Sequence, residues 1–214
     1  MSEQDLTGEL AGKVAIVTGG GGGMGRVMAL ALAERVARVA VLDIRRAEAE
    51  AVANEGGRIA DSEAVLPLVV DVTQGADCAA AVKQTIDAFN GLHILVNAAG
   101  IGMQTLRDDY WKDPVRFWQC DPDAWQRLMD VNWRGAFLMS RAVAPHMIAQ
   151  KWGRIINLTT SLDTMCFPGY TPYGPSKAAL EAATSGWAKD LMDTGVTANV
   201  LVPGGPVNTG FIPT

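Results

Sequence analysis

The chain has 214 residues, 49% hydrophobic and 19% charged, with 23 glycines; this suits one large domain with a substantial core and excludes a disordered chain. Lys and Arg number 18 against 23 Asp and Glu, a net charge of −5, which argues against nucleic acid as the main partner because phosphate binding needs a basic surface. No apolar run reaches the ~18 residues that span a bilayer, and Met1–Gly12 lacks the basic-then-apolar pattern of a secretory signal, so a cytoplasmic protein without membrane contact is expected.

In chain order, Val14–Val17 reads as a β-branched strand ending at Thr18-Gly19, and Val27–Val36 as a helix with near-helical apolar spacing. Val39–Leu42 is a second strand, closed by Asp43. Arg45–Asn54 reads as a helix stopped by Gly56-Gly57. Leu66–Val70 is a third strand, closed by Asp71, and Ala76–Phe89 a helix stopped near Asn90-Gly91. Ile94–Val96 is the fourth strand, and one long helix is predicted over Pro122–Gln150. Ile155–Leu158 is the fifth strand, Ser176–Met192 a helix, and Val196–Val202 the sixth strand. Six short apolar runs alternating with helices predict a doubly wound α/β fold, its mostly parallel sheet covered on both faces. Cys78, Cys120 and Cys166 are scattered and suit free thiols. With only His93 and His146 besides, no metal site is expected.

Two stretches carry chemistry. The run TGGGGGMG places Thr18, Gly19, Gly21, Gly22, Gly23, Met24 and Gly25 between a strand and a helix. There, glycines let the backbone approach a pyrophosphate, and the helix start offers free N–H groups. A plain flexible turn satisfies the same run. Asp43 lies roughly 20 residues beyond the loop, with Ile44 beside it, where an acid bonds a ribose diol. Its charge would repel a 2′-phosphate and favours NAD over NADP; Arg45 and Arg46 just beyond pull the other way. Asp71, with Val72 beside it, is placed against an adenine or as a helix N-cap. Tyr173 and Lys177, four residues apart, share one helix face. An ammonium there lowers a phenol's pKa and suits it to proton exchange with an alcohol or carbonyl oxygen.

TGGGGGMG, NAAG at Asn97–Gly100, Asn132 in DVNWRG, TTS at Thr159–Ser161, YGPSK at Tyr173–Lys177 and PGGPVNT at Pro203–Thr209 occur in one order across almost the whole chain. In these motifs the chain resembles the short-chain dehydrogenase/reductase family, whose fold is Rossmann-like. The resemblance implies that Tyr173 is the general acid/base and that Lys177 lowers its pKa and bonds the nicotinamide ribose. It also implies that Asn132 holds a water in a relay to Lys177. Asn97, Ala98, Ala99 and Gly100 would line the cofactor. Pro203, Gly204, Val207 and Thr209 would lie near the nicotinamide, with Val207 and Thr209 at its carboxamide. A hydroxyl after the fifth strand would orient the substrate oxygen. Spacing from Tyr173 favours Thr160, the usual serine chemistry favours Ser161, and Thr159 is expected to pack.

Three features depart from the family pattern. Val36 stands where a glycine cap is expected. Gly102–Asp123 is long and aromatic, with Tyr110, Trp111, Phe117 and Trp118, followed by Trp125 and Trp133; it reads equally as a wall for an apolar or ring-bearing substrate and as ordinary packing. The chain also ends at Thr214, where family members usually continue through a last strand and lid. The expectation is an oxidoreductase acting on a secondary alcohol/ketone pair, a homo-oligomer by analogy. The alternative is an NAD-binding protein with little turnover.

Overall fold

The computed structural model describes residues 10–35, 37–59 and 64–204. Six strands form one sheet: β1 Val14–Thr18, β2 Arg38–Asp43, β3 Val65–Val69, β4 Ile94–Asn97, β5 Gly153–Leu158 and β6 Val196–Leu201. Their order is β3-β2-β1-β4-β5-β6, and every neighbouring pair is parallel. Among the described residues, seven α-helices connect or follow them: α1 Gly23–Glu34, α2 Arg46–Ile59, α3 Gly75–Phe89, α4 Pro122–Met129, α5 Gly135–Ala149, α6 Leu162–Met165 and α7 Tyr173–Asp190. This is the expected Rossmann-like, doubly wound arrangement. Strand order reverses between β1 and β4, so the crossovers part there and leave a crevice at the strands' carboxyl ends.

The unbroken apolar runs follow from burial on both faces. All residues of β1 and β4 are buried. Ala15, Val17, Val39 and Val41 pack against Ala29, Leu30 and Ala33 of α1 and Ala49 and Val52 of α2. Their alternating neighbours Ile16, Ala40 and Leu42 join the opposite cluster, with Cys78, Ala81 and Val82 of α3 and Met139, Val143 and Met147 of α5. Pro67, which has no N–H to donate, sits in β3 at the sheet's edge. Among the described residues, no helix is long and apolar enough to cross a membrane.

Besides α1, which begins at Gly23 rather than Val27, the structure departs from the predicted elements at four places. First, α2 runs through Gly56 and Gly57 to Ile59. A Cβ on Gly56 would stand 2.6 Å from Val65 Cγ2, so this glycine admits close helix–strand packing and stops nothing. Second, the long helix over Pro122–Gln150 is interrupted by a π-helical turn at Asp130–Arg134 between α4 and α5. Third, α6 was not predicted: four residues are too few for a periodic signal. Fourth, α7 begins at Tyr173, three residues before the predicted start. Val36 lies outside the described residues.

A tight turn joins α5 to β5, with Lys151 in left-handed conformation at φ 57°. That region disfavours a side chain, and Lys151 is exposed. Lys151→Gly is expected to raise stability by about 0.5–1 kcal/mol, the relief exceeding glycine's extra unfolded-state entropy. Urea unfolding with an unchanged slope reads this directly; a lower midpoint would contradict it.

Candidate active site

The glycine loop is built by contacts that leave no room for side chains. Gly19 has φ 62°, and a Cβ there would meet Ala99 Cα at 2.7 Å. A Cβ on Gly25 would meet Gly19 O at 2.3 Å, so the first turn of α1 rests on the loop. Gly21 faces Asp43 and Glu48, with a Cβ position 2.8 Å from Asp43 Oδ2. Gly22 is the extended N-cap of α1 and Gly23 its first residue, at φ 51°. No side chain caps α1, and no acid lies in its first turn, so its leading N–H groups are open to an anion. Met24 packs into the α1/α2 core. Thr18 is buried, and its hydroxyl accepts from the N–H groups of Ala98 (3.1 Å) and Ala99 (3.0 Å), tying the end of β1 to the turn after β4.

Asp43 closes β2 and is buried to 7% exposure. Its Oδ2 accepts from Gly21 N–H at 3.1 Å, and its Oδ1 from Arg45 N–H at 3.0 Å. Arg45 pairs with both Asp43 (3.3 Å) and Glu48 (3.2 Å), and Arg46 with Glu50 (3.5 Å). Ile44 is exposed beside them. Asp71 accepts from the N–H and hydroxyl of Thr73. The N-cap of α3 is Gln74, so Asp71 holds the turn that precedes the helix and does not cap it. The side chain of Val72 is in the core, which leaves its main chain as the part available to a ligand.

Asn97 is buried, and its side chain is held in a polar network. Its Nδ2 donates to Asn157 Oδ1 (2.8 Å) and Ser140 Oγ (3.1 Å), and Asn157 Nδ2 donates to Thr184 Oγ1 (2.8 Å). This buried chain of polar groups braces β4 and β5 against α5 and α7. Ala98 and Ala99 pack into opposite cores. Gly100 faces the crevice: a Cβ there would lie 3.3 Å from Asn132 Oδ1 and 3.8 Å from Lys177 Nζ. Pro203 and Gly204 follow β6 on the same edge of the sheet, whereas Val207 and Thr209 lie outside the described residues.

Lys177 is the most unusual ionisable group. It is 6% exposed and, among the described residues, in no ion pair. Its Nζ donates to Leu158 O at 2.9 Å. Burial without a carboxylate pulls it down to about 8. Asn132 stands beside it in the π-helical turn. Its Oδ1 accepts from Ile101 N–H (2.8 Å), and its Nδ2 donates to Ile101 O (2.9 Å) and Ser176 Oγ (3.3 Å). Ser176, which the sequence reading missed, is fully buried and donates to Tyr173 O at 2.7 Å. The side chain of Asn132 thus locks the turn after β4 to the first turn of α7.

Tyr173 opens α7 on the same face as Lys177, whose Nζ lies 5.8 Å from the phenol ring centre. The expected depression of the phenol is absent. Burial, and then Tyr110, push Tyr173 up to about 12, while the Lys177 ammonium is drawn to the Leu158 carbonyl. Tyr170 meets Tyr173 edge-on at 6.0 Å and Tyr110 at 5.8 Å, so the chain's three tyrosines form one cluster. Tyr170 carried no signal beyond its closeness to the YGPSK motif.

The two candidate hydroxyls are in different situations. Ser161 is exposed and caps α6: its Oγ accepts from Thr164 N–H at 3.3 Å and bonds Thr164 Oγ1 at 3.0 Å. Thr160 is half-buried, and among the described residues its hydroxyl has no hydrogen bond. Thr159 is buried and donates to Glu181 Oε1 at 2.9 Å, which fits its expected packing role. In the aromatic segment, Tyr110 is buried with Met103 and Val115, whereas Trp111, Phe117 and Trp118 are exposed. Trp133 stacks on Phe137 away from this cluster.

A glycine loop at a strand-order reversal, with Tyr173, Lys177 and Asn132 gathered at the same sheet edge, defines a dinucleotide-fold oxidoreductase architecture. The family model for short chain dehydrogenases matches residues 13–212, and the chain belongs to that family. A short-chain type dehydrogenase/reductase of Picea abies is 38% identical over 205 residues, covering 94% of this chain and 72% of that protein. Among solved structures, a 3-ketoacyl-(acyl-carrier-protein) reductase from Brucella melitensis, complexed with NADH, is similar with a TM-score of 0.81. It is 32% identical and covers 91% of this chain and 76% of that one. An NAD+-bound xylitol dehydrogenase gives a TM-score of 0.82 at 30% identity, covering 92% and 73%.

Proposed function

We propose that the chain, as one dinucleotide-binding and catalytic unit, interconverts a secondary alcohol and a ketone with NAD(H), using Tyr173 as general acid/base. The observation that carries this reading is Lys177, a buried amine without a carboxylate, lodged among Tyr173, Asn132 and the end of β5. Strongly displaced ionisable groups of this kind cluster at functional sites.

The residues present fit the cofactor. The cradle of Gly19, Gly21 and Gly25 and the uncapped start of α1 would hold the pyrophosphate. The buried carboxylate of Asp43 keeps lone pairs for a ribose diol and would repel a 2′-phosphate. Arg45 and Arg46 are engaged by carboxylates, which supports NAD over NADP. The nicotinamide, when bound, supplies or takes the hydride. Tyr173 donates its phenolic proton to the substrate oxygen in reduction and accepts it back in oxidation. Thr160, the hydroxyl not committed to a helix cap, orients that oxygen. Lys177 holds positive charge behind the phenol and would bond the nicotinamide ribose of a bound cofactor, and Asn132 fixes the turn on which both depend.

Tryptophan fluorescence titration of the purified chain with NADH and NADPH tests the cofactor assignment. Saturable binding about tenfold tighter for NADH is expected, the size of one unfavourable charge contact. Tighter binding of NADPH would transfer the preference to Arg45. Reduced-nicotinamide absorbance over a panel of ketones and secondary alcohols tests turnover; no turnover with bound cofactor would leave a binding protein only.

A further inference from the structure

We propose that the cleft beside Tyr173 holds a ring-bearing substrate whose carboxylate pairs with Arg116. This deepens the proposed function and rests on it for the chemistry at Tyr173. Among the described residues, five Phe and Trp side chains are exposed: Trp111, Phe117, Trp118, Phe137 and Phe167. Three of the five, Phe117, Trp118 and Phe167, line this one cleft of about 350 Å³. Exposed aromatic surface gathered in one concavity marks a binding groove, whereas scattered exposure needs no explanation.

The cleft is a built feature. One wall is the segment after β4, anchored by buried Val115 in the cluster with Met103 and Tyr110. The other is the loop after α6. The walls touch at the cleft's base, where Gly169 has φ 82° and a Cβ would stand 2.4 Å from Pro114 Cβ. Tyr170 and Pro175 also line it. Tyr170 is in edge-on contact with Tyr173, and Pro175 lies between Tyr173 and Lys177 on α7. A ring seated on the aromatic walls therefore lies against Tyr170, which is itself in contact with Tyr173.

Among the described residues, Arg116 is the one charged side chain lining the cleft, in a chain of net charge −5. Among the described residues its guanidinium is in no ion pair, unlike Arg26, Arg45, Arg46 and Arg107. One guanidinium matches one carboxylate in charge and fork geometry; a phosphate dianion would call for a second cation, and the described lining holds one.

The test uses two keto acids of different reach, para-acetylbenzoate and gamma-benzoylbutyrate, each beside its methyl ester, with NADH as reductant. At least one acid is expected to exceed its ester in kcat/KM by about tenfold, the scale of a charge-assisted hydrogen bond. Arg116→Gln should bring that ratio to near one. Arg58→Gln, which removes the same charge from α2, should leave it in place. A binding readout stands apart from turnover: quenching of tryptophan fluorescence by the acids, expected to be lost in Trp118→Phe and weakened in Arg116→Gln. Preference for neither acid, or a preference that survives Arg116→Gln, overturns the proposal while the hydride chemistry stands. Arg116-dependent quenching without reduction of any ketone upholds the cleft and overturns the hydride chemistry.

Discussion

Tyr173→Phe is expected to lower kcat by about a thousandfold while cofactor affinity stays within about twofold. Positioned proton transfer contributes on the order of 10² to 10⁴ to rate, and this substitution removes the hydroxyl that carries the transferable proton while keeping the ring. The ring contacts with Tyr170 and Lys177 are kept, so the first turn of α7 has no reason to move. The pH profile of the unaltered protein is a second arm of the prediction. Burial and Tyr110 hold the Tyr173 phenol up at about 12, so at neutral pH it carries its proton. Ketone reduction, which needs the proton, should be level through neutral pH and fall above about 8, where Lys177 loses its charge. Alcohol oxidation, which needs the phenolate, should climb with pH. A Phe variant that keeps more than a tenth of the activity would remove Tyr173 from the chemistry.

Lys177→Met is expected to impair turnover about a hundredfold and yet make the fold more stable at neutral pH. Burial drops the Lys177 pKa from 10.5 to about 8. At neutral pH the amine is charged in both folded and unfolded chains, and burying that charge disfavours the fold by roughly 3 kcal/mol. Between pH 8 and 10.5 the unfolded chain binds the extra proton, so this penalty fades as pH rises through that window. Met removes the penalty but leaves the Leu158 carbonyl without its donor, a loss of roughly 1–2 kcal/mol. A net gain of about 1–2 kcal/mol at neutral pH is expected, shrinking and then reversing toward pH 10.5. Cys78 and Tyr173, both raised by burial, act in the opposite sense at alkaline pH in either protein. The difference between the two urea-unfolding curves across pH therefore isolates Lys177. A variant less stable at neutral pH would mean that the buried charge is already compensated in the fold.

The two substitutions separate the site's two requirements. On the proposed reading, Tyr173 supplies a proton, and Phe in its place keeps the ring contacts with Tyr170 and Lys177. On the same reading Lys177 supplies charge in a place where charge is unfavourable, so activity at this position would be maintained against stability.

Much of this molecule was legible before any fold was known. Strand after strand appeared as a short apolar run because helices cover both faces of the sheet, and that double burial erases the alternation of a one-sided strand. The glycine run, Asp43, Asn132, Tyr173 and Lys177 could be singled out because backbone permissiveness, charge and helical spacing are local properties. What local properties left open was decided by packing between distant segments. Gly56 read as a helix stop, and only the approach of Val65 shows it to be a contact residue. Asn97 read as a cofactor-lining residue by resemblance, and only its partnership with Asn157 and Ser140 shows that its side chain braces the sheet. Spacing favoured Thr160 and serine chemistry Ser161, and α6, too short to predict, takes Ser161 as its cap. The spacing of Tyr173 and Lys177 placed them on one face but was silent on where the ammonium points. The carbonyl of Leu158, nineteen residues away in sequence, decides that. By itself the sequence determined the architecture and which residues meet at the sheet's edge, since both follow from periodicity and residue type. Only the tertiary structure decided how each polar group is spent, because hydrogen-bond partners and burial are set by segments that sequence distance does not bring together.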